Sequence, residues 1–170
     1  TSAQVQAIGA KGLDGLTSSQ IAALTSSNIS YLSTLQVSQL SSAQVAAIET
    51  ADLAGLTTEQ VAAFKADQAM GLTAAQMGAL ASSAIASLGG GALSALSSSQ
   101  IAALSTSNVL GLTTAQISAL GSAWIAALET ADFARLRSDQ IQSLMAKGLA
   151  GLTSDQMGSF TTATIGRLGT

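Results

Sequence analysis

The sequence predicts an all-α solenoid, a superhelix of very short helices with one helix in each repeat of eight residues. Three observations carry this prediction. Large apolar residues recur at every eighth position, signals that start a helix recur with the same period, and a longer pattern spans five of these short repeats. Together they predict one continuous repeat array over residues 1–170.

The apolar residues form two rows with a period of eight. Every residue whose number is a multiple of eight is large and apolar, and so, with Ala69 as the one small exception, is every residue three places before it. We number each octad from one to eight, so these are positions eight and five. Eight residues of a continuous helix advance about 800°, which would rotate the apolar stripe by roughly 80° per repeat. The spacing also breaks the alternation of a strand and the heptad of a coiled coil.

Each octad also carries a signal for the start of a helix. Position one is Ser or Thr in 12 of 21 octads, and position four is Gln or Asn in 13 of 21. Ser or Thr followed three residues later by Gln is a capping box, and apolar residues on either side of it form a hydrophobic staple. We therefore expect one helix of about two turns per octad. Helices this short are unstable alone, so neighbouring helices must stabilise them.

A higher-order repeat groups the octads in fives. From the second octad onwards every fifth lacks the amide, as in ETADLAGL at 49–56 and ETADFARL at 129–136. A shift by ten octads leaves 39 of 90 aligned positions identical. We expect five helices to complete a whole number of superhelical turns, namely two, in a stiff rod. The first and last octads, TSAQVQAI and TTATIGRL, lack the polar character of a terminal cap, so we expect a longer chain or end-to-end stacking.

The composition argues against several classes of function. The chain has no His and no Cys, so the usual nucleophile–base pairs and zinc sites are missing, and we expect no enzyme activity, no metal and no cofactor. Charged residues make up 9% and the net charge is −3, which leaves no basic surface for nucleic acid. Polar residues interrupt every apolar run well before the roughly 18–20 residues that a membrane-spanning helix needs.

Two pairs of acids recur ten octads apart, Glu49 with Asp52 and Glu129 with Asp132. We interpret them as acids at helix N-termini, where the helix dipole favours negative charge. A weak Ca²⁺ site is the alternative, although the pairs lack the dense oxygen ligands of a calcium-binding loop.

Four large residues lie outside the two apolar rows: Tyr31, Met70, Leu110 and Trp124. Met70 and Leu110 occupy the same site in successive 40-residue repeats, and Tyr31 is next to the equivalent site. They could form a lateral apolar column for self-association. Extra core contacts on a thin rod are the alternative.

The tandem text LTxxQIxAL, as in LTTAQISAL at 112–120, resembles the repeat regions of very large secreted or surface-exposed proteins of proteobacteria, of the adhesin-like or haemagglutinin-like kind. The resemblance extends over the whole chain. It implies an extracellular or cell-surface location and a structural role, as a stalk or scaffold in adhesion or as the subunit of a filament. An alternative function is binding of a repetitive surface, ice or polysaccharide, through ladders of Thr and Ala.

Overall fold

The computed structural model describes residues 2–145 and 150–161. These residues form short helices joined by tight corners and contain no strand, which confirms the predicted all-α class. Helices α1 to α18 begin in octads one to eighteen, and α19 lies in the twentieth. In chain order they are α1 (Ser2–Ala7), α2 (Ala10–Asp14), α3 (Ser18–Ala22), α4 (Ser26–Ile29), α5 (Thr34–Val37), α6 (Ser42–Ala47), α7 (Thr50–Leu53), α8 (Thr58–Ala62), α9 (Ala66–Gly71), α10 (Ala74–Ala79), α11 (Ser82–Ser87), α12 (Gly90–Ser94), α13 (Ser98–Ala102), α14 (Thr106–Gly111), α15 (Thr114–Ala119), α16 (Ser122–Ala127), α17 (Thr130–Phe133), α18 (Ser138–Met145) and α19 (Ser154–Gly158).

The predicted start signals are present in the structure. Wherever a described Ser or Thr at position one precedes a helix, its side chain accepts a hydrogen bond from the backbone N–H of position four. In all of these octads except that of Thr25, the position-four side chain also accepts from the backbone N–H of position one, which completes the capping box. The cap residues therefore fix where each helix begins.

Most corners between helices need no glycine, and among the described residues only Gly151, between α18 and α19, has a positive φ. Between α6 and α7, for example, Ile48 has φ −62° and ψ 128°, and Glu49 has φ −63° and ψ 141°. Two extended residues turn the chain, and no residue other than glycine has a positive φ within the described part. The corner and cap take up part of each octad, so helices such as α7 and α17 have 4 residues, little more than one turn.

Helices three octads apart pack against each other through most of the described residues, as in the series α3, α6, α9, α12, α15 and α18. Side chains at position four reach further back, to backbone atoms 28 and 31 residues earlier. One superhelical turn therefore takes between three and four helices. Five helices make more than one turn and fewer than two, so the predicted whole number of turns per five octads is wrong.

The two apolar rows fill one continuous core. Position-five residues such as Leu13, Ile29 and Val37 have no exposed surface. Position-eight residues such as Leu40 and Leu112 lie beside them. Of the last octad only Thr161 is described, so the expectation of an uncapped end lies outside the described residues. No helix in the described ranges is both long enough and apolar enough to cross a membrane.

Candidate functional site

The most regular polar feature of the molecule is a buried amide at position four, shown by Gln76 in α10. Its Oε1 accepts a hydrogen bond from the backbone N–H of Thr73 at 2.7 Å. Its Nε2 donates to the carbonyl oxygens of Val45 at 3.0 Å and Ile48 at 2.7 Å, one superhelical turn earlier. The side chain is 1% exposed. A single amide thus closes its own helix start and donates to two carbonyls at the end of an earlier helix, of which Val45 also accepts from the Ile48 N–H.

The same arrangement recurs along the chain, and we call the row of residues the amide ladder. Each member is buried, accepts from the N–H of its own cap residue, and donates to at least one carbonyl 28 residues or more earlier. Its members are Gln36, Gln44, Gln60, Gln68, Gln76, Gln100, Asn108, Gln116, Gln140 and Gln156.

The ladder explains why an amide is the commonest residue at position four, in 13 of 21 octads, and why Glu does not occur there. A capping box accepts Glu as readily as Gln, because only an acceptor is needed. The bond to the earlier turn needs a donor, which an ionised carboxylate lacks. None of the 21 octads has Glu at position four. Sequence analysis identified the cap and missed the second bond, although the exclusion of Glu was the available signal.

The ladder is interrupted at octads whose position four is not an amide. Two interruptions are Asp52 and Asp132, the acids considered above. Asp52 accepts from the backbone N–H of Ser26 at the start of α4, at 2.6 Å, and Asp132 accepts from the hydroxyl of Thr106 in α14, at 2.5 Å. Both carboxylates therefore hold the start of an earlier helix, and no three His, Cys, Asp or Glu residues cluster in the part of the chain that the structure describes.

Glycine permits the closest contact between neighbouring helices. A Cβ on Gly71 would lie 2.4 Å from the carbonyl oxygen of Ser42, and one on Gly111 would lie 2.5 Å from that of Ser82. The two sites are five octads apart, and each joins a helix to the helix three places earlier. Tyr31 stands at the same register five octads before Gly71.

The four residues proposed for self-association lie in different environments. Tyr31 and Met70 are 43% and 53% exposed, and Leu110 is half-buried. Tyr31 lines one surface groove together with Leu35, which sequence analysis missed and which is 61% exposed, whereas Met70 lines another groove.

Trp124 must be removed from the outer set. It is only 6% exposed and packs into the core, so it provides the extra core contact that was the alternative interpretation. It occupies position four of octad sixteen, in α16, where its indole stands in place of a ladder amide.

Comparison with known families identifies the repeat. Residues 45–82, 85–122 and 125–170 each match the family model described as ALTTAQ repeat. Successive matches begin five octads apart, which agrees with the higher-order repeat, and residues 111–116 read GLTTAQ. Trp124 falls in the short interval between the second and third matches. No curated protein and no solved structure matches the chain.

Proposed function

The chain belongs to the ALTTAQ repeat family, and from this premise we propose that it is a structural, rod-like repeat module of a large extracellular or cell-surface protein. It acts there as a stalk or scaffold in adhesion, or as the subunit of an extracellular filament. The observation that carries the proposal is the repeated packing of helices three octads apart among the described residues, together with the amide ladder.

The chemistry of the ladder supports a role outside the cell. Its bonds join uncharged amides to backbone carbonyls, so neither salt nor a change of pH weakens them as it would weaken surface ion pairs. The described residues contain one ion pair, Arg137 with Asp139, and the chain has no cysteine to oxidise. A rod built in this way keeps its length in a medium whose composition varies.

The cap residues favour a structural role over the binding of ice or polysaccharide. The Ser and Thr hydroxyls at position one accept the N–H of position four, as Thr113 does from Gln116. Their orientation is thus set by the helix start and not by an outer surface. Position one is also occupied by Glu49, Lys65 and Arg137, which interrupts any flat row of hydroxyls.

Two measurements test the proposal. Electron microscopy of the purified chain should show stiff rods of uniform width, and antibodies raised against it should label intact source cells. Compact globular particles would contradict the rod, and labelling only after cell lysis would contradict the surface location. Inhibition of ice recrystallisation by the purified chain would favour the alternative.

A further inference from the structure

Three surface grooves occur at equivalent places on the superhelix. Each is lined by a position-eight residue and by the position-four residue 28 places later. The pairs are Ile8 with Gln36, Leu40 with Gln68, and Leu96 with Trp124. In the first two grooves the amide donates to the carbonyl of its partner, so both groups are satisfied. The third groove has no amide.

The groove beside Trp124 leaves a donor and an acceptor unpaired. The indole Nε1 is buried and has no hydrogen-bond partner in the described structure. No described residue donates to the Leu96 carbonyl, which the ladder pattern would assign to residue 124. Two cavities border Trp124. One is lined only by apolar residues, including Leu112, Ile117 and Phe133, and the other is the groove, which among the described residues is the place where a polar partner fits.

We propose that this groove is a binding site for an uncharged amide group supplied from outside the chain. The amide carbonyl accepts from the Trp124 Nε1 once the ring turns to bring this buried atom to the groove, and the amide N–H donates to the Leu96 carbonyl. Elsewhere on the molecule a Gln or Asn side chain makes the corresponding bond to that carbonyl, so the chemistry that fits the site is read from its ten occupied equivalents.

The size and lining of the groove limit which ligands can bind. Its volume is about 230 Å³, below the roughly 300 Å³ at which pockets for drug-sized molecules begin. Its polar side chains are Ser94 and Ser98, and no charged residue lines it. One sugar ring with an acetamido group, or one Gln side chain from a second copy of this chain, has this chemistry. The proposal concerns a site on the module and does not depend on the module being a stalk.

Trp124 is the one tryptophan of the chain, so its fluorescence reports directly on the site. Titration of the intact chain with N-acetylglucosamine should give a saturable change in emission and shifts in the NMR signals of Ser94, Leu96 and Ser98. Glucose, which has no amide, should give neither. N-methylacetamide should bind about tenfold more tightly than N,N-dimethylacetamide, which lacks the N–H donor.

Two glycine variants provide a matched control. Gly121 lines the groove and has free space around it, so Gly121→Leu obstructs the site while keeping the reporter. Gly89 also precedes a helix, has free space around it and lies outside the groove, so Gly89→Leu carries the same local cost. We expect Gly89→Leu to bind like the wild type and Gly121→Leu to lose binding. Trp124→Gln, followed by NMR, should also lose binding because it supplies the amide internally.

Fluorescence measured at different protein concentrations shows where the amide comes from. If the emission of the protein alone changes with its concentration and N-acetylglucosamine reverses the change, a second copy supplies the amide. If emission is independent of protein concentration and N-acetylglucosamine still saturates, the ligand is the sugar. Both results support the site. A response that does not saturate, or an unchanged response in Gly121→Leu and Trp124→Gln, overturns it.

Discussion

The sixth and sixteenth octads, SSAQVAAI and GSAWIAAL, correspond after a shift of ten octads and are stabilised differently. Their helices have the same bounds within the octad, Ser42–Ala47 and Ser122–Ala127. In the sixth, Gln44 is capped by Ser41 and donates to two carbonyls of an earlier helix. In the sixteenth, Gly121 offers no side-chain cap and Trp124 offers no ladder bond. The apolar register therefore suffices to form a helix, and the polar bonds add stability.

The largest expected effect comes from breaking the ladder where it is intact. Gln44→Leu removes the acceptor for the Ser41 N–H and the donor for the carbonyls of Leu13 and Leu16. The Leu13 carbonyl keeps its bond from the Leu16 N–H, whereas the Ser41 N–H and the Leu16 carbonyl lose their partners, so the free energy of unfolding should fall by about 3 kcal/mol. Urea denaturation followed by circular dichroism measures the loss.

Gln20→Leu is the matched control. Gln20 accepts from the Thr17 N–H in the same way but is exposed, and no described carbonyl receives a bond from its Nε2. Its loss should stay near the value of a helix cap, about 1 kcal/mol or less. Equal losses at residues 20 and 44 would show that the second bond contributes nothing.

The next effect comes from the close contact between helices three apart. Gly111→Ala would place Cβ 2.5 Å from the Ser82 carbonyl oxygen, so the helices must separate. Forcing an extra methyl group into a packed contact should cost about 1–3 kcal/mol.

Gly91→Ala is the control that measures the effect of alanine on helix stability without the close contact. Gly91 lies within α12, and no atom is within 4 Å of its added Cβ. Alanine there should raise the free energy of unfolding by up to about 1 kcal/mol. Thermal denaturation of the two variants should therefore shift the midpoint in opposite directions. A gain in Gly111→Ala would mean that the contact tolerates a side chain.

A smaller effect is expected from restoring caps in the octads that lack them. Ala81 precedes α11 and Gly121 precedes α16, both without a side-chain cap bond. Ala81→Ser supplies an acceptor for the Ala84 N–H and should raise the free energy of unfolding by about 0.5–1 kcal/mol. Gly121→Ser should raise it by only a few tenths, because glycine is already tolerated at this position. If neither serine stabilises, the sixteenth octad does not need the cap that the sixth has.

The sequence contained enough to predict the helices but not how they stack. Local chemistry sets each helix start, so the caps at Thr17 and Ser41 and the apolar rows followed from the text alone. The number of helices per turn depends on the angle at each corner, which is set by extended residues such as Ile48. The residue types at these corners do not indicate that angle. Trp124 was misplaced because its burial depends on contacts with a neighbouring turn of the superhelix, far from it in sequence.

The smallest expected effect is a difference in pKa behaviour between two acids ten octads apart, Glu59 and Asp139. Both lie two residues after position one of their octad. The pKa of the Glu59 carboxyl is lowered by hydrogen bonds, first from the backbone N–H of Glu59 itself and then from the Thr57 hydroxyl. The Arg137 guanidinium, 3.2 Å away, lowers the pKa of the Asp139 carboxyl. Arg137→Thr should therefore raise the pKa of Asp139, and high salt should raise it in the wild type while hardly moving that of Glu59.

NMR titration of the two carboxyl carbons measures both changes. Each folded-state pKa lies below its unfolded value, so each stabilising contribution is present above the unfolded pKa and is lost as the pH falls through the folded pKa. Both groups are exposed, and the loss on acidification should be small beside that from Gln44→Leu. An equal response of Glu59 and Asp139 to salt would contradict the difference in cause. Acidification should therefore weaken this solenoid little, because the amides that join its turns do not titrate in this pH range.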